Sequence, residues 1–361
     1  MFRQSLLLCA ALLPAALACD SIGVLPSATA DGIGGMYGKN ADRNRHEAQP
    51  VAAVARATWP KGATITLDSG LVIPQVPLTY AHAGSRPFWA HPYGGYSEGI
   101  NEFGVGLGNE MFPSHSLPTD NGAKPQAEFT DLARLVLERC KTAAEAVATL
   151  TELVSMYGQT CRSCPEAADY NSLFMVADTA EVYSVMAVGH EWGWKQLKLG
   201  DPLLNGTGVW TISNRYVPGA TNISATAIAT ARKHLGYTGT DADFDFGVVY
   251  GDQDADPSRQ ERSAGLLRDL AKDHKLTKAD LMMTLSDHSY GGSENAHEAY
   301  VAQPHWRGTE IDEHTVNGGI SASSMVSDFS CKAAQDRVAH WAEPVHGGVL
   351  SRDLPPRRAR L

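Results

Sequence analysis

The stretch that decides the reading is LLPAALACDSIGVLP, residues 12–26, in which an apolar run ends at Cys19. Arg3 supplies a short positive start, Leu6 to Ala18 is almost unbroken in its apolarity, and Pro14 interrupts it near the end. Ala16-Leu17-Ala18 has the small-x-small pattern that precedes signal-peptidase cleavage. The run is shorter than the ~20 residues a membrane helix needs. Residues 1–18 are therefore expected to be a secretory signal peptide, and Cys19 the first residue of an exported (periplasmic or secreted) chain. A cysteine freed in this way carries two useful groups: a polarisable thiol and, on the same residue, an α-amine whose ordinary pKa is about 7.7–8.0. Such an amine can take the thiol proton without a histidine. Lipid anchoring at Cys19 is the competing fate. It is disfavoured because a lipid-attachment motif wants Leu three residues before the cysteine, where Ala16 stands.

Residues 19–350 are expected to form a single domain, and residues 351–361, with Arg352, Arg357, Arg358 and Arg360, a frayed basic tail. A hydrophobic content of 43% with 19% charged residues is that of a globular chain. A net charge of −10 argues against a nucleic-acid partner. No later segment is apolar enough to span a membrane. With Cys9 removed, five of the six cysteines remain: Cys19, Cys140, Cys161, Cys164 and Cys331. An odd number in an exported chain points to one free thiol, for which Cys19 is the candidate. The CRSC motif at 161–164 reads as a structural disulfide, closed within the motif or to Cys140 or Cys331, rather than half a zinc site or a redox pair.

The order of elements points to an α+β fold. Short apolar runs such as SIGVL, GGMYGKN, VAAVA, ATITL and VGLGNE read as strands. Phe129, Leu132, Leu135 and Val136 recur at helical spacing. Thr142-x-x-Glu145 caps a second helix bearing Ala146, Leu150, Leu153 and Val154. SLFMVAD, EVYSVMAV and GVWTISN return to strand, residues 224–290 are mostly helical, and ISASSMVSDF is a late strand. Strands and helices are segregated, not alternated as in a parallel sheet. Asp31-Gly32 is a turn signal, so SIGVL and GGMYGKN should pair antiparallel and fold Lys39 and Asp42 back toward Cys19. A carboxylate there can orient the α-amine and a cation can stabilise the thiolate.

These blocks resemble a known family. CDSIGVLPSATADGIGGMYGKNADRNRHEAQPV looks like the opening of the secernin-type dipeptidases, N-terminal-nucleophile cysteine peptidases related to lactobacillal dipeptidase. SRPFWAHPYGGYSEGINEFGVGLGNE, the helical pair, the strand pair NSLFMVADTAEVYSVMAVGHEWGWKQ and ISNRY resemble its later blocks. The resemblance implies an N-terminal nucleophile hydrolase of αββα four-layer sandwich form that hydrolyses amide bonds without metal or organic cofactor. It further implies roles. Cys19 matches the nucleophile, and Asp42 the carboxylate that related acylases place beside the α-amine. Lys39 stands where penicillin V acylase and bile salt hydrolase relatives carry Arg. Asn101 matches an oxyanion donor, and Asn214 a second asparagine near the amine and the oxyanion. Arg43 and Arg86 are candidates to meet a substrate carboxylate. The expected partner is a small peptide, with room for a homo-oligomer. The competing functions are an acylase of the penicillin V acylase or bile salt hydrolase type, and a non-catalytic secernin-like binding protein.

Other features read as ordinary structure. Trp89, His91, Tyr93 and Tyr96 share a Gly-rich loop that is either surface and core or a cleft wall. Asp287-His288 is read as structural, because a nucleophile with its own amine needs no histidine. Asp252, Asp254 and Asp256 form an acidic loop without the rest of a calcium pattern. Asn205 and Asn222 head glycosylation sequons.

Overall fold

The structure is a computed structural model that describes residues 19–43, 48–87, 94–115, 117, 126–161, 170–255, 257–287, 320–330 and 338–341. The leader, Trp89, His91, Tyr93, Cys164, Asp256, His288, Cys331 and the basic tail lie outside the described residues.

Two antiparallel sheets face each other. The first runs in the order β16 (Val209–Ile212), β1 (Cys19–Val24), β2 (Met36–Arg43), β18 (Ile320–Asp328), β19 (Val338–Trp341). The second runs β17 (Asn222–Ile223), β15 (Glu191–Leu197), β14 (Val182–Val188), β13 (Asn171–Ala177), β10 (Gly106–Phe112), β9 (Glu98–Asn101), β8 (His82–Ser85), β3 (Val51–Val54). Small pairings complete the strands: β4 (Ala57–Thr58) with β7 (Leu78–Thr79), β5 (Thr64–Thr66) with β6 (Val72–Pro74), and a parallel pair, β11 (Ala127–Glu128) with β12 (Gln159–Thr160). The β1–β2 pairing is the one expected from Asp31-Gly32.

Helices cover the outer faces. Helices α1 (Phe129–Arg139) and α2 (Ala143–Tyr157) lie on the second sheet. There Leu132, Leu135, Val136, Leu150 and Val154 are buried against Phe174, Val176 and Val185. Helices α5 (Ser258–Asp273) and α6 (Lys278–Leu285) lie on the first, where Leu267, Leu281 and Leu285 pack on Ile22, Val24 and Val326. The sheets meet through Leu173, Met175, Met186, Ile212, Met325 and Phe329, joined by Phe246 and Tyr250 of α4 (Phe246–Tyr250), which follows α3 (Ala227–His234). This is an α+β fold in four layers, αββα. Truncating a fully buried leucine of either outer layer to alanine costs about 2–5 kcal/mol in such a core.

Local chemistry sets the helix ends. The Thr142 side chain accepts from Glu145 N at 3.1 Å, and the Glu145 carboxylate accepts from Lys141 N at 2.7 Å. Thr277 and Asp280 form a reciprocal capping box at α6. The strand β15 carries its two tryptophans at alternate positions, and Trp192 and Trp194 lean on the α2 layer, half-buried. Among the described residues no helix is long and apolar enough to cross a membrane.

Candidate active site

Strand alternation around Cys19 creates two polar neighbourhoods. In the β1–β2 ladder Cys19 lies opposite Ala41, Asp20 opposite Asn40, and Ser21 opposite Lys39. Successive side chains point to opposite faces. Cys19, Ser21, Lys39 and Arg43 therefore face the second sheet, and Asp20, Asn40 and Asp42 face the α5–α6 layer. The contacts agree: Asn40 Nδ2 donates to Leu285 O at the end of α6, at 2.9 Å. On the inner side, a Cβ on Gly108 would collide with the Tyr37 hydroxyl and lie 2.7 Å from Lys39 Cδ, so only glycine lets the lysine lie across β10.

The backbone of Cys19 is held from both sides. Its N–H donates to Asn214 Oδ1 at 2.7 Å, and its carbonyl accepts from Arg259 Nη1 at 3.1 Å. Arg259 stands in the first turn of α5. It also donates to Asp20 Oδ1 at 3.1 Å and, through Nη2, to Asn214 Oδ1 at 2.8 Å. Asn214, just beyond β16, is in the left-handed region with φ 52°. Its own N–H donates to Glu110 Oε2 at 2.9 Å, and its Nδ2 to Met111 O at 2.8 Å. The asparagine is thus clamped so that its carbonyl oxygen, not its amide nitrogen, meets Cys19.

Among the described residues, seven charged side chains cluster about Lys39 and the free thiol of Cys19, which is 5% exposed. They are Asp20, Asp42, Glu98 and Glu110 against Lys39, Arg43 and Arg259, all buried or nearly so. Burial pushes the Cys19 thiol up, and Lys39 opposes it. Burial also pulls at Lys39, but Cys19, Glu110, Glu98 and Asp42 together hold its ammonium above the ordinary value. Glu98 is lifted by burial to about 6 and Glu110 to about 7, Lys39 restraining both. Asp20 and Asp42 titrate against each other. Asp42 holds its proton the more strongly, being buried beside Asp20, whereas Asp20 has the Arg259 ion pair and the Ser213 hydroxyl. Ser321 Oγ donates to Asp42 Oδ1 at 2.9 Å. Ser323 donates to Glu98, tying β18 to β9. Asp20 Oδ2, Asp42 Oδ2, Glu98 Oε2 and Glu110 Oε1 are buried with no hydrogen-bond partner. Among the described residues no group of three or more His, Cys, Asp or Glu side chains is arranged to hold a metal ion.

No family model matches this chain. Among solved structures it is similar to penicillin V acylase from Agrobacterium tumefaciens, at 12% identity over 90% of this chain and 86% of that one, with a TM-score of 0.48. It is similar to a mutant of conjugated bile acid hydrolase from Clostridium perfringens, at 13% identity over 92% and 95%, TM-score 0.44. A third is an N-acylethanolamine-hydrolysing acid amidase orthologue from Caenorhabditis elegans, at 13% identity over 90% and 100%, TM-score 0.45.

Of the residues singled out from sequence, Cys19, Lys39, Asp42, Asn214 and Arg43 converge. Asn101 does not join them. Its Nδ2 donates to Leu137 O at 3.1 Å and Cys140 O at 2.6 Å, and its Oδ1 accepts from Phe103 N and Val105 N, both at 3.0 Å. The oxygen is engaged in the β9–β10 turn and both N–H groups at the C-terminal end of α1, so no donor is left for an oxyanion. Asn214 meets Cys19 N through its Oδ1, while one N–H of its Nδ2 is taken by Met111 O. Arg86 stacks on Tyr96, 5.2 Å from the ring centroid, and donates to its hydroxyl at 3.2 Å, while Arg43 stacks on Phe129 at 5.6 Å. Tyr96 is fully buried, which settles its part of the Gly-rich loop as core. Cys161 is disulfide-bonded and Cys140 is a free buried thiol, so the pairing considered with Cys140 does not form. Asp287 pairs with Arg262 at 3.0 Å, a structural contact.

The sequence reading missed Arg259, Glu98, Glu110 and a role for Asp20. Asp20 and Glu110 lie inside quoted stretches, where strand alternation from Cys19 and Gly108 would have placed Asp20 opposite to, and Glu110 beside, the thiol. Arg259, 240 positions from Cys19 in a polar helix start, has no local signal.

Proposed function

We propose that this chain is an exported amide hydrolase, specifically a cysteine dipeptidase of the secernin type, whose nucleophile is Cys19 after removal of residues 1–18. The observation that carries the reading is the bond from Cys19 N to Asn214 Oδ1 at 2.7 Å beside a thiol that shares its face with Lys39. Cleavage after Ala18 turns that N–H into an α-amine. Asn214 Oδ1 then holds one amine proton, and the neutral amine accepts the thiol proton. The sulfur forms a bond to the substrate carbonyl carbon as the carbonyl π electrons move to oxygen. Collapse breaks the C–N bond, and the ammonium of Cys19 returns its proton to the leaving amine. A water deprotonated by the same amine then cleaves the thioester, restoring the thiol. Lys39 supplies the positive charge that favours the thiolate. With one ammonium in place of an arginine fork, that stabilisation is a point charge without bidentate geometry. Arg259 fixes the Cys19 carbonyl and so the direction in which the sulfur is presented.

The test is direct. The N-terminus of the exported protein, read by mass spectrometry, should be an unmodified Cys19. A dipeptide panel should be turned over by the wild type and at least about 10³-fold more slowly by Cys19→Ala. Equal turnover by both, or an acylated N-terminus, would refute the mechanism. Hydrolysis of long-chain or aromatic acyl amides without dipeptides would move the assignment to an acylase.

A further inference from the structure

The inner face of the site holds a carboxylate that the chemistry above does not use. Glu110 is wholly buried in β10. Its Oε2 accepts from Asn214 N at 2.9 Å, and Asn214 Oδ1 accepts from Cys19 N at 2.7 Å. The carboxylate is therefore one residue removed from the nucleophile. Its other oxygen, Oε1, is buried with no partner at hydrogen-bond distance; the Ser21 hydroxyl, equally unpartnered, is the neighbouring neutral donor. An ionised oxygen of this kind costs several kcal/mol unless a cation or a donor meets it. Lys39 is the cation in electrostatic reach, but its charge is shared among Cys19, Glu110, Glu98 and Asp42, and its Nζ already donates to Asn40 O at 2.7 Å. The cation is thus spread over several carboxyls and meets Glu110 only through its field.

We propose that Glu110 Oε1 receives the free α-ammonium of the substrate's acyl residue, so that the site selects amides of unblocked amino acids over otherwise identical acyl amides. In such a substrate the ammonium sits on the carbon next to the carbonyl under attack, so a carboxylate adjoining Cys19 and Asn214 is where it must be met. A hydrogen-bonded ammonium–carboxylate pair out of water discriminates strongly against a neutral isostere, which leaves the buried charge unmatched. Glu98 is the other inner carboxylate with an unpartnered oxygen, but Ser323 ties it to β18, on the side away from Asn214. This assignment names the substrate class of the amide hydrolase proposed above and rests on that reading.

The experiment separates the two. Binding of L-alanyl-L-alanine and of propionyl-L-alanine, which differ only in the ammonium, is measured by calorimetry on exported Cys19→Ala protein. The same titrations are run after adding Glu110→Gln, Glu110→Asp or Glu98→Gln. Glutamine keeps the acceptor for Asn214 N and removes the charge. The expected result is a preference of about 100-fold for the dipeptide in Cys19→Ala. It should collapse to within about threefold with Glu110→Gln and persist above about tenfold with Glu110→Asp and with Glu98→Gln. The assignment is overturned if the preference is absent from Cys19→Ala, survives Glu110→Gln, or is abolished by Glu98→Gln instead. If Glu110→Gln does not fold, loss of the preference in the charge-retaining Glu110→Asp protein overturns it equally. Because binding is read without turnover, failure of the amide-hydrolase reading shows separately, as equal dipeptide turnover by the wild type and Cys19→Ala.

Discussion

The two faces of the β1–β2 ladder carry similar charges and manage them differently. On the helix side, Arg259 makes a direct ion pair with Asp20 and bonds to Cys19 O and Asn214 Oδ1, and Ser213 and Ser321 close on the carboxylates. That side is built from directed bonds and fixes the position of residue 19. On the sheet side, Lys39 lies among Glu98, Glu110 and the thiol, and holds them through its field. Both sides leave one oxygen of each carboxylate without a donor, but on the sheet side, among the described residues, no cation bonds directly to either glutamate. The difference separates positioning from reactivity. A directed network tolerates little exchange of ligands, whereas a point charge among unsatisfied acceptors can serve a substrate and a thiolate in turn.

Removing the inner cation should have the largest effect. Lys39→Met leaves buried Glu98 and Glu110 without their cation, and chemical denaturation should show a loss of about 3–5 kcal/mol at pH 8. The loss should shrink at pH 5, where both glutamates are protonated. Next comes the helix side: Arg259→Gln should cost about 2–3 kcal/mol by thermal melts. It should also lower kcat more than KM, because the Cys19 backbone is released while the inner face stays intact. Equal losses at pH 5 and pH 8 for Lys39→Met would erase the distinction between the faces.

A third prediction sharpens it through pH. Glu98 is raised from 4.5 to about 6, so the folded protein holds that proton more tightly than the unfolded chain. Its contribution is fully present below about pH 4.5 and is lost as pH rises through about 6, by about 2 kcal/mol in all. The wild type should lose that much more stability than Glu98→Gln between pH 4 and pH 7.5, and parallel curves would count against the inner face as described. The smallest effect belongs to Ser321→Ala, which removes one bond to Asp42 on the helix side. It should cost about 1 kcal/mol in a urea midpoint comparison.

Much of this was legible in the sequence, for identifiable reasons. Cys19 is marked by the apolar run before it. Lys39 and Asp42 follow from one antiparallel turn, whose register then fixes which face each takes. The layers follow from helical spacing in residues 129–157 and from continuous apolar strands at 171–188. Asn101 misled because a turn asparagine and an oxyanion donor look alike until the partners of Nδ2 are seen. Arg259 was invisible because its contact with Cys19 is made only by the docking of α5 on β16, 240 positions along the chain. Glu110 was in view, but its importance lies in an oxygen without a partner, and no sequence pattern records what a side chain fails to touch.

Gly108 has a consequence for how the site can vary. Its missing side chain is the trough in which the Lys39 stem lies. Residue 108 therefore acts as a gauge on the reach of the ammonium: a methyl there would meet the Tyr37 hydroxyl first and the Lys39 stem next, so the charge could not stay in place without displacing both. The electrostatic setting of the thiol is thus adjustable from a position that carries no functional group at all.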